Sequence, residues 1–125
     1  MDTTPSTVSF SADLSGCQAL PVLTGDEVAD LFMDALSRAG ATIVKAVSHA
    51  FPTTGLTCLL ILRESHAALH TWPETGTIHV DIFSCTTRLQ SVQAINDLAR
   101  SLGARHVSVQ EIARADGRPT SRQSD

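Results

Sequence analysis

The sequence predicts an α+β fold: a two-layer sandwich, βαββαβ-like, with two helices on one face of a mostly antiparallel sheet. Two observations carry that prediction. Two stretches place apolar residues at helical spacing behind capping signals, while several short segments alternate apolar and polar residues instead. The connection at 73–76 is also too short for a crossover, so the strands it joins must run antiparallel.

The elements follow in order. Val8-Ser9-Phe10-Ser11-Ala12-Asp13-Leu14 alternates as a half-buried strand does, and Ser15-Gly16 ends it. Thr24-Gly25-Asp26-Glu27 has the spacing of a capping box. Val28, Leu31, Phe32, Ala35, Leu36 and Ala39 then form one apolar helical face, and Gly40 stops it. The segment 41–50 reads as a strand on Thr42, Ile43, Val44 and Val47, with a turn at Phe51-Pro52-Thr53-Thr54-Gly55. Leu56 to Leu62 is nearly all apolar, as in a central strand, and runs straight into Arg63-Glu64-Ser65. Trp72-Pro73-Glu74-Thr75-Gly76 turns the chain, and Ile78, Val80 and Ile82 mark the next strand. Thr87-Arg88-Leu89-Gln90 repeats the capping spacing before a second helix lined by Leu89, Val92, Ile95, Ala99 and Leu102 and ended by Gly103. Val107 and Val109 mark a last strand. That makes about five strands. Residues 1–112 read as one domain, and 113–125 as a disordered tail.

Composition narrows the functions. A chain of 125 residues with 42% hydrophobic residues can bury one modest core. The open face of the sheet then needs a cover, and a second copy is the simplest one. A net charge of -4 without any basic run argues against nucleic acid or an anionic membrane as partner. No segment approaches the apolar length of a membrane span or a signal peptide, so a cytoplasmic location is the default expectation. Cys17, Cys58 and Cys85 form no CxxC pair, which disfavours a zinc ribbon or a disulfide framework and leaves free thiols.

The densest chemistry lies in Glu64-Ser65-His66-Ala67-Ala68-Leu69-His70-Thr71-Trp72-Pro73-Glu74, followed by Asp81-Ile82-Phe83-Ser84-Cys85. If the hairpin turns symmetrically about Thr75, Ser65 faces Cys85, although a slip of one residue would move one of them to the other face. His70 has the opposite parity from Ser65, so a kink is needed for all three to meet. Rival readings exist. His66 and His70 have the spacing of a helical metal pair, but a strand leads in and no third ligand is evident, so no metal is expected. Ser65, His70 and Asp81 could form a hydrolase triad, yet the Gly-x-Ser-x-Gly elbow is absent. A binding or assembly module with ordinary polar strand residues is also compatible with the fold.

The motif Glu-Ser-His-x-x-x-His-Thr-Trp-Pro-Glu with a following Asp-x-Phe-x-Cys closely resembles the prokaryotic S-adenosylmethionine decarboxylase proenzymes. The likeness is densest from Phe51 to Cys85. It extends weakly to Asp13-Leu14-x-Gly16-Cys17 and Val107-Ser108-Val109-x-Glu111-Ile112, covering about residues 8 to 112. The resemblance implies a lyase made as a zymogen that cleaves itself between Glu64 and Ser65. The products are a β chain, 1–64, and an α chain, 65–125, with Ser65 converted to a covalent pyruvoyl cofactor that forms a Schiff base with substrate. It implies that His70 is the proton acceptor in processing, that Cys85 is the proton donor in catalysis, and that Thr57 supports processing. It assigns Phe51 and Glu74 to the adenosyl part of S-adenosylmethionine. It further implies decarboxylation for spermidine biosynthesis by a dimer of processed protomers with sites at their interface. The chain departs from the family pattern where Thr75 and Thr77 replace tyrosines, where Thr86 replaces a glycine after Cys85, and where an N-terminal Gly-x-His is missing. Those departures touch the pocket wall, so arginine or ornithine remains an alternative substrate. An unprocessed paralogue acting as a binding or regulatory subunit is the reading from another class.

Overall fold

A computed structural model describes residues 7–84 and 89–115. It contains six strands and two α-helices, β1 (Thr7–Ser15), α1 (Gly25–Arg38), β2 (Ile43–Ala50), β3 (Leu56–Leu62), β4 (Ser65–Trp72), β5 (Thr77–Ser84), α2 (Ser91–Leu102) and β6 (His106–Arg114), with a 3-10 turn at Leu20–Val22. The strands form one sheet in the order β2-β3-β4-β5-β1-β6, antiparallel at every pairing. Both helices pack against each other and over the same face. No helix of the described residues is long and apolar enough to cross a membrane.

The helix-facing side of the sheet carries every second residue of the inner strands. Leu56, Cys58, Leu60 and Leu62 of β3, Ala67, Leu69 and Thr71 of β4, and Ile78, Val80 and Ile82 of β5 are buried there. They meet Val28, Phe32 and Leu36 of α1 and Ile95, Leu98 and Leu102 of α2. Each fully buried Leu, Ile or Phe contributes about 1.5–3 kcal/mol, so this one layer holds the fold together. No helix of the described residues covers the other face, and Leu59, Ile61 and Trp72 lie about half exposed on it.

The first helix starts as its sequence dictates. Thr24 Oγ1 accepts from the Glu27 N–H at 3.1 Å, and the Thr24 N–H donates to Glu27 Oε1 at 2.8 Å, a complete capping box. Of the second capping box expected at Thr87-Arg88-Leu89-Gln90, only Leu89 and Gln90 are described. Helix α2 begins at Ser91 with Gln90 as a cap that makes no side-chain bond. The Gln90 N–H instead donates to the Ala39 carbonyl, which pins the start of α2 to the end of α1. Thr87 lies outside the described residues.

Two expectations need correction. Among the described residues there are six strands, because Arg63 and Glu64 form a two-residue turn and Ser65–Trp72 is a strand in its own right. Ala67, Leu69 and Thr71 are buried while His66, Ala68 and His70 are not, so the period of two is present, in weak strand formers. The last strand also continues to Arg114, pairing Ala113 with Val8 and Arg114 with Thr7, inside the span expected to be tail.

Candidate functional site

The turn between β2 and β3, the far end of β4 and the turn between β4 and β5 enclose a cavity of about 380 Å³. Phe51, Thr57, His70, Trp72 and Glu74 line it, with Gly55 and Thr71 at its base. Four residues singled out from the sequence therefore share one pocket. Phe51 follows β2 directly, its ring meeting the edge of His49 at a centroid distance of 4.8 Å. Its N–H donates to the Gly55 carbonyl, closing the turn. Gly55 sits at φ +98°, and a Cβ there would lie 3.0 Å from the Thr71 carbonyl oxygen, so only glycine lets the turn fold this closely onto β4. Thr71 Oγ1 accepts the Leu56 N–H at 2.9 Å inside the core, fixing the same corner.

Thr57 and His70 are cross-strand partners on the open face. Thr57 Oγ1 lies 3.0 Å from His70 Nδ1. When Nδ1–H donates to that hydroxyl, Nε2 presents its lone pair, which is the state a general base needs. Glu74 is exposed at the pocket rim, in the turn that Thr75 tightens by donating from its N–H to the Trp72 carbonyl. Thr75 Oγ1 also donates to Thr77 Oγ1 at 3.0 Å, so the two threonines bond to each other beside the pocket.

Ser65 is elsewhere. It opens β4 at the opposite end of the strand, next to the exposed turn residues Arg63 and Glu64. Its Oγ is buried and has no hydrogen-bond partner among the described residues. Buried hydroxyls are almost always partnered, so one that is not calls for a reason. Five residues of strand separate Ser65 from His70, about 16 Å at ~3.3 Å per residue. Their parity is opposite as well: Ser65 shares the face of Ala67 and Leu69, His70 that of His66 and Ala68. A single chain does not bring the two together.

The register of β4 on β5 sets His66 opposite Phe83 and Trp72 opposite Thr77. Extended by one pair, it puts Ser84, not Cys85, opposite Ser65. The register of the described pairs is thus one residue off a hairpin centred on Thr75, because the 73–76 turn is centred half a residue before it. Cys85 itself lies outside the described residues. His66 and His70 are on a strand, about 13 Å apart, too far to share a metal ion. Asp81 does not reach His70 as a triad partner; it accepts a hydrogen bond from Ser11 Oγ at 2.7 Å.

One residue of this region had no signal in the sequence beyond strand alternation. His79, on β5, stands directly opposite His70 and accepts the Trp72 indole N–H on Nδ1 at 3.2 Å. Its partner in sequence is seven residues away across a turn, so only the fold reveals the contact.

A family model described as S-adenosylmethionine decarboxylase matches residues 8–115. The chain is 39% identical over 103 residues to an S-adenosylmethionine decarboxylase proenzyme of Acidithiobacillus ferrooxidans, covering 82% of this chain and 77% of that one. It is 32% identical over 103 residues to the proenzyme of Pelotomaculum thermopropionicum, covering 82% of each. Its fold matches the crystal structure of the adenosylmethionine decarboxylase from Aquifex aeolicus with a TM-score of 0.81 at 24% identity, over 97% of this chain and 100% of that one.

Proposed function

The chain belongs to the S-adenosylmethionine decarboxylase family, and from that premise we propose that it is a proenzyme that cleaves itself between Glu64 and Ser65 to become a pyruvoyl-dependent decarboxylase of S-adenosylmethionine, supplying spermidine biosynthesis in the cytoplasm. The observation that carries the reading is the Ser65 hydroxyl, buried and without a partner among the described residues, beside an exposed two-residue turn. Among the described residues no hydrogen bond competes for its lone pairs, which leaves them for the neighbouring Glu64 carbonyl carbon.

The residues divide the work. Attack by Ser65 Oγ on the Glu64 carbonyl releases the Ser65 nitrogen and leaves an ester. A base then removes the Ser65 α-proton, the Cβ–O bond breaks, and Glu64 departs as a carboxylate. Hydrolysis of the resulting dehydroalanine expels ammonia and leaves the ketone. His70 is the base, oriented by Thr57. When formed, the pyruvoyl group supplies a ketone that captures the substrate amine and accepts the electron pair left by departing CO₂. Phe51 offers its ring face to the adenine and Glu74 its carboxylate to the polar part of the nucleoside, in the cavity they share. Cys85 returns a proton to the substrate α-carbon.

The distance between Ser65 and His70 bears on assembly. Helices cover one face of the sheet, and the other leaves Leu59, Ile61 and Trp72 half exposed. We propose that a second copy stacks on that face about a two-fold axis, so that the pocket of each copy lies over the start of the other's β4; the Ser65 side chain turns to the helix side, so it is the Ser65 backbone and α-carbon that the partner's pocket meets. Such an isologous contact makes two identical sites, each incomplete without its partner.

The test is a denaturing gel with mass spectrometry. Purified protein should split into fragments 1–64 and 65–125, the latter beginning with a pyruvoyl group, and should release CO₂ from S-adenosylmethionine in preference to arginine or ornithine. Ser65→Ala should remain one chain, since no hydroxyl is left to attack. An intact wild-type chain after long incubation would refute self-cleavage and favour a non-catalytic subunit.

A further inference from the structure

Trp72 is the only tryptophan of the chain and forms a wall of the pocket. It is 47% exposed in the single chain, so packing within the chain does not fix its ring. One polar contact does. The indole N–H donates to His79 Nδ1 at 3.2 Å, with the two ring centroids 6.1 Å apart. His79 is not part of the pocket lining. It lies one strand further across the open face, opposite His70 on β4 and opposite Asp13 on β1. We propose that His79 is a positioning residue for the decarboxylase reaction: neutral His79 holds the Trp72 indole in place as a pocket wall and thereby sets substrate affinity without touching substrate. This rests on the reading that the pocket takes the adenosyl part of the substrate.

The chemistry of the contact is specific. An indole N–H can only donate, so His79 Nδ1 must accept, which puts the imidazole hydrogen on Nε2. That nitrogen lies 3.9 Å from Asp13 Oδ1, and the carboxylate favours the same tautomer. Protonation of His79 would place an N–H on Nδ1, facing the indole N–H donor to donor. The bond would then be lost and the ring drawn toward Asp13. The titratable groups facing His79 are Asp13 from β1, His70 from β4, and Asp81 two residues along β5 on the same face, the last accepting from Ser11 Oγ. Acid should therefore release the pocket wall.

The single tryptophan makes this measurable without turnover. Emission of the wild-type protein should shift as it is acidified to protonate imidazole. His79→Asn keeps an acceptor near the Nδ1 position and cannot titrate, so its neutral-pH emission should match wild type and lose the acid step. His79→Ala should show shifted emission at neutral pH and no acid step. In self-cleaved enzyme, His79→Ala should raise KM for S-adenosylmethionine about 2- to 12-fold, the worth of one hydrogen bond. Its kcat should not change, and His79→Asn should restore KM. Wild-type emission and KM in His79→Ala would overturn the proposal, as would a fall in kcat with KM unchanged. If wild-type protein releases no CO₂ from S-adenosylmethionine, the functional reading fails, while the emission series still decides the His79–Trp72 contact.

Discussion

Two inactive variants of this chain should rescue each other. On the proposed mechanism Ser65→Ala removes the nucleophile and His70→Ala the base, two groups toward opposite ends of β4 and about 16 Å apart. A general base must come within about 3 Å of the proton it takes, so His70 cannot serve the Ser65 of its own chain in this fold. If the sites are shared across a two-fold axis, a mixed dimer holds one complete site, made of Ser65 from the His70→Ala copy and His70 from the Ser65→Ala copy. Its other site lacks both groups. Random pairing of equal amounts makes about half of the dimers mixed, so about a quarter of all sites are complete. Co-expression with two different tags, followed by tandem purification of the mixed species, should give cleavage of the His70→Ala chain only. Unfractionated mixtures should show about a quarter of wild-type CO₂ release. Each variant alone should give neither. A mixed dimer that cleaves no faster than the His70→Ala dimer would refute the shared site and require His70 to act within its own chain.

Three other outcomes follow from single contacts. Thr57→Val keeps the strand but removes the hydroxyl that orients His70, so self-cleavage followed on a gel should slow about 2- to 12-fold, and Thr57→Ser should restore it; an unchanged rate would detach Thr57 from processing. Thr71→Val, made in a Ser65→Ala background to keep one chain, leaves the buried Leu56 N–H without its acceptor and should cost about 1–3 kcal/mol in urea unfolding, while Thr71→Ser should cost about 1 kcal/mol for its lost methyl; equal stability of Thr71→Val and its parent would remove that bond from the account. Burial raises the Cys17 thiol above its ordinary value by desolvation. The folded state therefore holds that proton after the unfolded state has lost it, so stability is unaffected below the usual thiol range and falls as pH rises through it. Cys17→Ala should flatten that alkaline decline, and an unchanged slope would assign it to other groups.

The sequence by itself determined the local structure and the chemical inventory. Thr24 and Glu27 specify where the first helix begins because a capping box is made within four residues, and it forms as read. The alternation of Ala12 to Leu14 and of Ile78 to Ile82 specifies which side of each strand is buried, because side chains on a strand point to alternate faces. The Glu64-to-Glu74 motif specifies the family because its residue types and spacing are unusual. What only the tertiary structure decided is distance. The two-residue turn at Arg63-Glu64 carries no Gly, Pro or Asn to announce it, so the break between β3 and β4, which turns β4 back along β3, is not legible in the sequence. The register of β4 on β5 depends on where a turn is centred, and one residue of slip changes which side chains face each other. The gathering of Phe51, Thr57, His70 and Glu74, and the contact of Trp72 with His79, join residues on different strands. Such contacts are set by pairing across the sheet, and a linear pattern records only which face a residue takes, not which neighbour it meets there.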